Sequence, residues 1–146
     1  MSKVICFDAA ASGHHGEFLE NLIYGVYPDV CHDITVLAHP GLYQRLEIAK
    51  AKANFPHHIC YLETAELNYM DAAKGIVQIG KRQLEVLAKY LQKFEGDHVI
   101  LMHMNLHQYA LHNWNPGRKV RIAGILLNPY TPMDRACGLR VKLFAL

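Results

Sequence analysis

The sequence predicts an α/β domain, a doubly wound, Rossmann-like parallel sheet with helices on both faces. Three observations predict it. Five short apolar runs recur along the 146 residues, continuous rather than alternating, as strands read when helices cover both faces of a sheet. Stretches with helical spacing separate the runs, which implies βαβ units with right-handed crossovers. Polar clusters directly follow the first and fourth runs, and in an open parallel sheet ligands bind beyond the carboxyl ends of the strands.

The five expected strands are Lys3–Asp8, Ile34–Ala38, His58–Leu62, His98–His103 and Val120–Leu127. Between the first two, Glu17–Gly25 carries Phe18, Leu19, Leu22 and Ile23 on one helical face. Leu42–Ala53 reads as an Ala- and Lys-containing helix that ends before Pro56. Glu66–Phe94 has Met70, Ala73, Val77, Leu84, Leu87, Leu91 and Phe94 at helical spacing. Gly75 and Gly80 each weaken it by about 1 kcal/mol relative to Ala, so a kink or break is expected near them. Gly96, in Glu95-Gly96-Asp97, occupies a cap position.

Length and composition bound the function classes. The chain is expected to be one domain over residues 1–146 that buries roughly two thirds of its unfolded surface. It is 51% hydrophobic and 19% charged, with a net charge of +2 when histidine is neutral. That balance argues against a nucleic-acid binder. The ten histidines make the charge sensitive to pH between about 5 and 8. Cys6, Cys31, Cys60 and Cys137 form no C-x-x-C pair, which argues against a zinc ribbon or disulfide scaffold and for a reducing compartment. The first strand begins almost at once, and no run approaches the roughly 18 apolar residues of a spanning helix. The expectation is a cytoplasmic protein, with peripheral membrane contact left open.

The first polar cluster is Ser12-Gly13-His14-His15-Gly16. Gly13 and Gly16 let the backbone bend and approach a ligand. The helix that follows offers unpaired N–H groups and a positive dipole end, which suit a phosphate or carboxylate. The spacing is neither G-x-G-x-x-G nor a Walker loop. The plainer reading is a tight turn with solvated histidines. The second cluster is His103-Met104-Asn105-Leu106-His107-Gln108. His103, Asn105 and Gln108 offer donors and acceptors for a hydroxyl-rich ligand. His103 and His107 share a face if helical, but Met104 stands where a metalloprotease motif needs Glu, so no metal site is assigned. The plainer reading is a strand end capped by polar residues. Asp8 reads first as a turn cap and second as a group that orients a histidine. Asn128 follows the fifth strand and also belongs to the ligand-bearing edge. His57-His58 reads as a surface edge. No G-x-S-x-G elbow occurs, and no cysteine has a catalytic neighbourhood.

Together, Gly13-His14-His15-Gly16, His103-Met104-Asn105-Leu106-His107-Gln108 and Gly124-Ile125-Leu126-Leu127-Asn128-Pro129-Tyr130 resemble the N-terminal half of a GT-B glycosyltransferase. The family is the large retaining one that includes bacterial lipopolysaccharide and capsule enzymes. The resemblance covers most of the chain through loose motifs. It implies half of a GT-B architecture, in which the N-terminal domain mainly binds the acceptor and a second Rossmann-like domain binds the donor. It implies that the Gly13–Gly16 loop lies near the donor phosphates and the acceptor, and that His103 contacts the transferred sugar as the catalytic residue. His14, His15, Asn105, Gln108 and Asn128 then join Gly13 and Gly16 as substrate-binding residues. The expected partners are a nucleotide-sugar donor, a sugar or glycolipid acceptor and a C-terminal Rossmann-like domain, with no nucleic acid and no cofactor. The family's Glu-x7-Glu motif belongs to that second domain and does not occur here. Two rivals stand beside this reading: a non-catalytic Rossmann-like module for a nucleotide or anion, and a metal-dependent enzyme built on the histidines. The apolar stretch Val141–Leu146 leads to the expectation that the chain stops short of a partner segment.

Overall fold

The computed structural model describes residues 3–26, 33–56 and 58–125. Asn128, the 129–132 turn, the 141–146 stretch, Cys31 and Cys137 lie outside these residues. Five strands alternate with helices: β1 (Lys3–Asp8), α1 (His15–Asn21), β2 (Asp33–Ala38), α2 (Tyr43–Ala53), β3 (His58–Tyr61), α3 (Thr64–Asp71), α4 (Ile76–Lys93), β4 (His98–Leu101), α5 (Met104–His107) and β5 (Arg121–Gly124). All strand pairs are parallel, in the order β3-β2-β1-β4-β5. The chain is therefore an α/β, Rossmann-like doubly wound sheet.

Side chains alternate across each strand, and both faces are covered. Ile5 and Phe7 of β1, with Val99 and Leu101 of β4, join Leu84, Leu87 and Leu91 of α4 in one core. Cys6 of β1 joins Ile34 and Val36 of β2, Leu19 and Leu46 in the other. This is why β1 reads as an unbroken apolar run. Each fully buried Leu or Phe contributes roughly 1.5–3 kcal/mol over its exposed state.

Local chemistry sets the helix ends. α1 starts two residues before the expected Glu17 and passes into a π-helical turn, Leu22–Val26. α2 stops at Asn54, whose left-handed φ of 49° lets the Phe55 amide donate to the Lys50 carbonyl at 3.0 Å. Lys50 and Lys52 sit in its last turn, where cations suit the dipole. The expected helix Glu66–Phe94 is two helices. The break falls at Gly75, whose φ is +83°. α3 stays tied to α4 by the Arg82 guanidinium donating to the Tyr69 carbonyl at 2.6 Å and the Tyr90 hydroxyl donating to Glu66 at 2.8 Å.

Gly80 does not break the helix. It is buried inside α4, and a Cβ there would collide with the carbonyl oxygen of Leu106. The missing side chain lets α5 press against α4. Gly96 does not cap α4 in a left-handed conformation. The helix ends at Phe94 in an extended conformation, and Gly96 packs under Ile5, whose side chain would be 3.0 Å from an added Cβ. β4 ends at Leu101, because Met102 and His103 already turn into α5. β5 is described over Arg121–Gly124.

Gly80→Ala is expected to destabilise the fold by about 1–3 kcal/mol, the usual range for overpacking a closed contact. Ala at the neighbouring exposed Lys81 should change it by less than about 0.5 kcal/mol. Urea unfolding of the two variants checks the difference.

Candidate functional site

The strand order fixes where a crevice can form. β1 lies between β2 and β4, and the chain crosses from β3 to β4 over the opposite face from α1 and α2. The loops after β1 and β4 therefore leave the sheet in different directions, and the gap between them is the topological switch point. Backbone bonds carry the ladder into this rim. The His39 amide donates to the Asp8 carbonyl at 3.1 Å, and the Met102 amide to the Phe7 carbonyl at 3.0 Å.

Asp8 is the last residue of β1, and its side chain is 1% exposed. Its Oδ1 accepts from the Ala10 amide at 3.1 Å and its Oδ2 from His15 Nδ1 at 2.8 Å. Because a carboxylate only accepts, His15 donates through Nδ1, which leaves Nε2 as the ring nitrogen not used by Asp8. His15 opens α1, and its side chain is 12% exposed. Its ring meets that of His103 with centroids 5.0 Å apart and planes tilted by 47°. The two histidine loops, 88 residues apart in sequence, thus converge on one rim.

His103 sits at the N-cap of α5 with φ −135° and ψ 65°. Burial, then the neighbouring His15, hold its imidazole below the ordinary histidine range, against the opposing pull of Asp8. Its Nδ1 is buried without a hydrogen-bond partner among the described residues. An unsatisfied buried nitrogen in a native fold calls for an explanation, and a bound group or an ordered water is one.

The remaining expected site residues divide. Gly13 has φ +69° and open space where a Cβ would be, so it makes the sharp turn assigned to it. Gly16 serves a different purpose. It is buried, and a Cβ there would lie 2.8 Å from Arg45 Nη1, so its bare backbone accommodates Arg45 rather than a ligand. Arg45 in turn donates to Glu20 at 2.6 Å and holds that carboxyl below the usual range. His14 is turned outward, 80% exposed, and pairs with Glu17 at 3.1 Å, an exposed contact worth little. Asn105 is half-buried on α5 and already engaged, and Gln108 is exposed beyond the last turn of α5.

Two residues escaped the sequence reading as site residues. His107, one turn on from His103, is buried, and its Nε2 donates to the side-chain Oε1 of Gln83 on α4 at 2.8 Å. Burial and the nearby His103 push its imidazole down to about 4. Gln83 lines a cleft of 160 Å³ that also includes Ala9, the residue after Asp8. Only helical register could have paired positions 83 and 107, and no local motif marks them. Cys6 is fully buried, and burial pushes its thiol up to about 12, so it offers no thiolate. Among the described residues no three His, Cys, Asp or Glu side chains gather to hold a metal ion. His103 faces His15 while His107 faces Gln83, so the two share no centre. A larger concavity, 540 Å³, lies elsewhere, between α4 and the segment around Trp114, with mainly apolar walls. Among the described residues no helix is long and apolar enough to cross a membrane.

No protein-family model and no curated protein matches the chain. Among solved structures it is similar to a crystal structure of UDP-N-acetylglucosamine 2-epimerase, at 16% identity and a TM-score of 0.48, over 90% of this chain. It spans 36% of the length of that protein.

His107 gives the site a pH signature. Its folded pKa of about 4 lies below the unfolded value of 6.5, so its contribution is whole above pH 6.5 and is lost as pH falls toward 4. The loss is on the order of 3 kcal/mol over that window. Denaturant unfolding at a series of pH values should show it, and His107→Gln should flatten the profile between these limits.

Proposed function

We propose that this chain is the acceptor-side, N-terminal domain of a GT-B hexosyltransferase that moves a sugar from a nucleotide-sugar donor to a saccharide or glycolipid acceptor. The observation that carries the reading is the convergence of buried Asp8 with half-buried His15 and His103 at the switch point, with His103 Nδ1 unpaired among the described residues. The motif resemblance stated above supplies the reaction class. The diphosphate of the donor and the Glu-x7-Glu motif belong, in this reading, to a second Rossmann-like domain that closes over this rim.

The arrangement suits hydroxyl recognition. A neutral imidazole both donates and accepts, so His103 can orient a sugar hydroxyl without carrying charge into a closing cleft. Asp8 fixes the ring of His15 against that of His103, which leaves Nε2 for a ligand group. Glycosyl transfer places positive charge on the sugar and negative charge on the departing diphosphate. Preorganised polar groups are worth most where closure has excluded water. Closure also protects the donor from hydrolysis.

In the complete two-domain enzyme, His103→Ala should lower turnover about 100-fold, as loss of one preorganised polar group does. Thermal unfolding of this domain should change little. Asp8→Asn, which keeps the shape but weakens the hold on His15, should lower turnover with an altered pH profile. Wild-type turnover in His103→Ala ends the assignment. Tight binding of free nucleotide by this chain alone would instead favour a stand-alone nucleotide-binding module.

A further inference from the structure

We infer that the cleft beneath the α3–α4 turn is a subsite for one uncharged saccharide ring, contacted by the Gln83 carboxamide, with His107 as its positioning residue. The inference rests on the glycosyl-transfer reading and gives its acceptor a place. The cleft has a volume of 160 Å³, below the roughly 300–1,000 Å³ of sites for drug-sized ligands, a size that favours a single ring over a nucleotide. Ala9, Leu67, Met70 and Ile79 give it an apolar wall for the C–H face of a sugar. Gln83 and Asp71 supply the polar contacts. A carboxamide donates and accepts, as a hydroxyl requires. Among the described residues no Lys, Arg or His lines the cleft, and Asp71 opposes an anion, so the lining chemistry disfavours phosphate.

The cleft is preformed. Gln83 is 8% exposed, and its Oε1 accepts from His107 Nε2 at 2.8 Å, which turns the amide group by a fixed contact rather than by chance. α5, which carries His107, is pressed onto α4 at Gly80. α3 is tied to α4 through Arg82 and Tyr90. A site built before its ligand arrives loses less to ordering. Ala9 follows Asp8 directly, so the cleft and the His15–His103 pair lie at the same end of β1. A ring seated in the cleft lies at the same strand end as the two imidazoles.

The test is a titration of the full chain, followed by amide NMR, with glucose, galactose and N-acetylglucosamine as probes and uridine monophosphate as the nucleotide control. At least one of the sugars should shift Ala9, Ile79 and the Gln83 side-chain amide, with an affinity near the millimolar range usual for a lone small ligand (about 1 mM). Gln83→Glu keeps an acceptor for His107 but removes the amide donor, and should weaken binding about tenfold. Asp71→Asn, at an exposed position that the fold does not need, should alter sugar binding as well. His107→Leu should weaken it, and His107→Gln, whose amide can still donate to Gln83, should restore it, which a purely structural histidine would not show. Sugar shifts confined to His15 and His103 overturn the subsite and leave the transferase reading standing. No shift at the cleft by any sugar also overturns the subsite, and the turnover of His103→Ala then decides the transferase reading by itself. Unchanged sugar binding in Gln83→Glu overturns the role given to Gln83.

Discussion

β1 is hydrogen-bonded on both edges, to β2 through six registered pairs and to β4 through four. That placement governs the rest of the molecule. A parallel strand with partners on both sides has no free edge, so every connection must cross a face of the sheet. The right-handed rule sends the two crossovers on the β2 side to one face and the β3–β4 crossover to the other. The loops that leave β1 and β4 then diverge at their carboxyl ends. A gap opens at the one rim where Asp8, His15 and His103 are delivered by separate elements. The crevice follows from winding the sheet in two directions, before any side chain is chosen.

The side chains then make that gap a polar site with little net charge. A buried carboxylate is tolerable only when its oxygens are paired, and Asp8 pairs both, with a backbone amide and with an imidazole. The next rings are kept neutral by burial, more strongly from His103 to His107. Two imidazole nitrogens remain unpaired and buried among the described residues. Each costs about 1–3 kcal/mol relative to a satisfied group. A fold has no reason of stability to retain both. At His103 the proposed ligand contact would offset the cost. At His107 the gain is a fixed carboxamide on α4.

Much of the fold could be read from the sequence, because buried parallel strands are continuous apolar runs. Val4 to Phe7 and Val99 to Met102 mark β1 and β4 without help from tertiary context. Strand order could not be read, since pairing is a long-range property and each run is equally apolar. Of the site, the convergence of the Gly13–Gly16 loop and His103 was legible from the switch-point rule alone. The uses of individual residues were not. Gly16 and Gly13 look alike in the string, yet one packs beneath Arg45 and the other turns the chain. Asp8 looked like a cap because a cap needs only its neighbours, whereas its bond to His15 needs the loop to fold back across seven residues.

Gly80 carries this lesson furthest. By helix propensity it is a defect of about 1 kcal/mol in the middle of α4. In the folded chain its bare backbone is what allows Leu106, and hence His107, to approach. Three positions along α4, Gln83 stands on the buried side to accept the hydrogen bond from His107. The local cost at Gly80 and the burial cost at His107 are therefore two sides of one contact, α4 against α5. His103 caps the same α5, so the contact that locks Gln83 also anchors the second histidine of the rim. From one face of the sheet, the α4–α5 contact thus sets where His103 meets His15 at the end of β1.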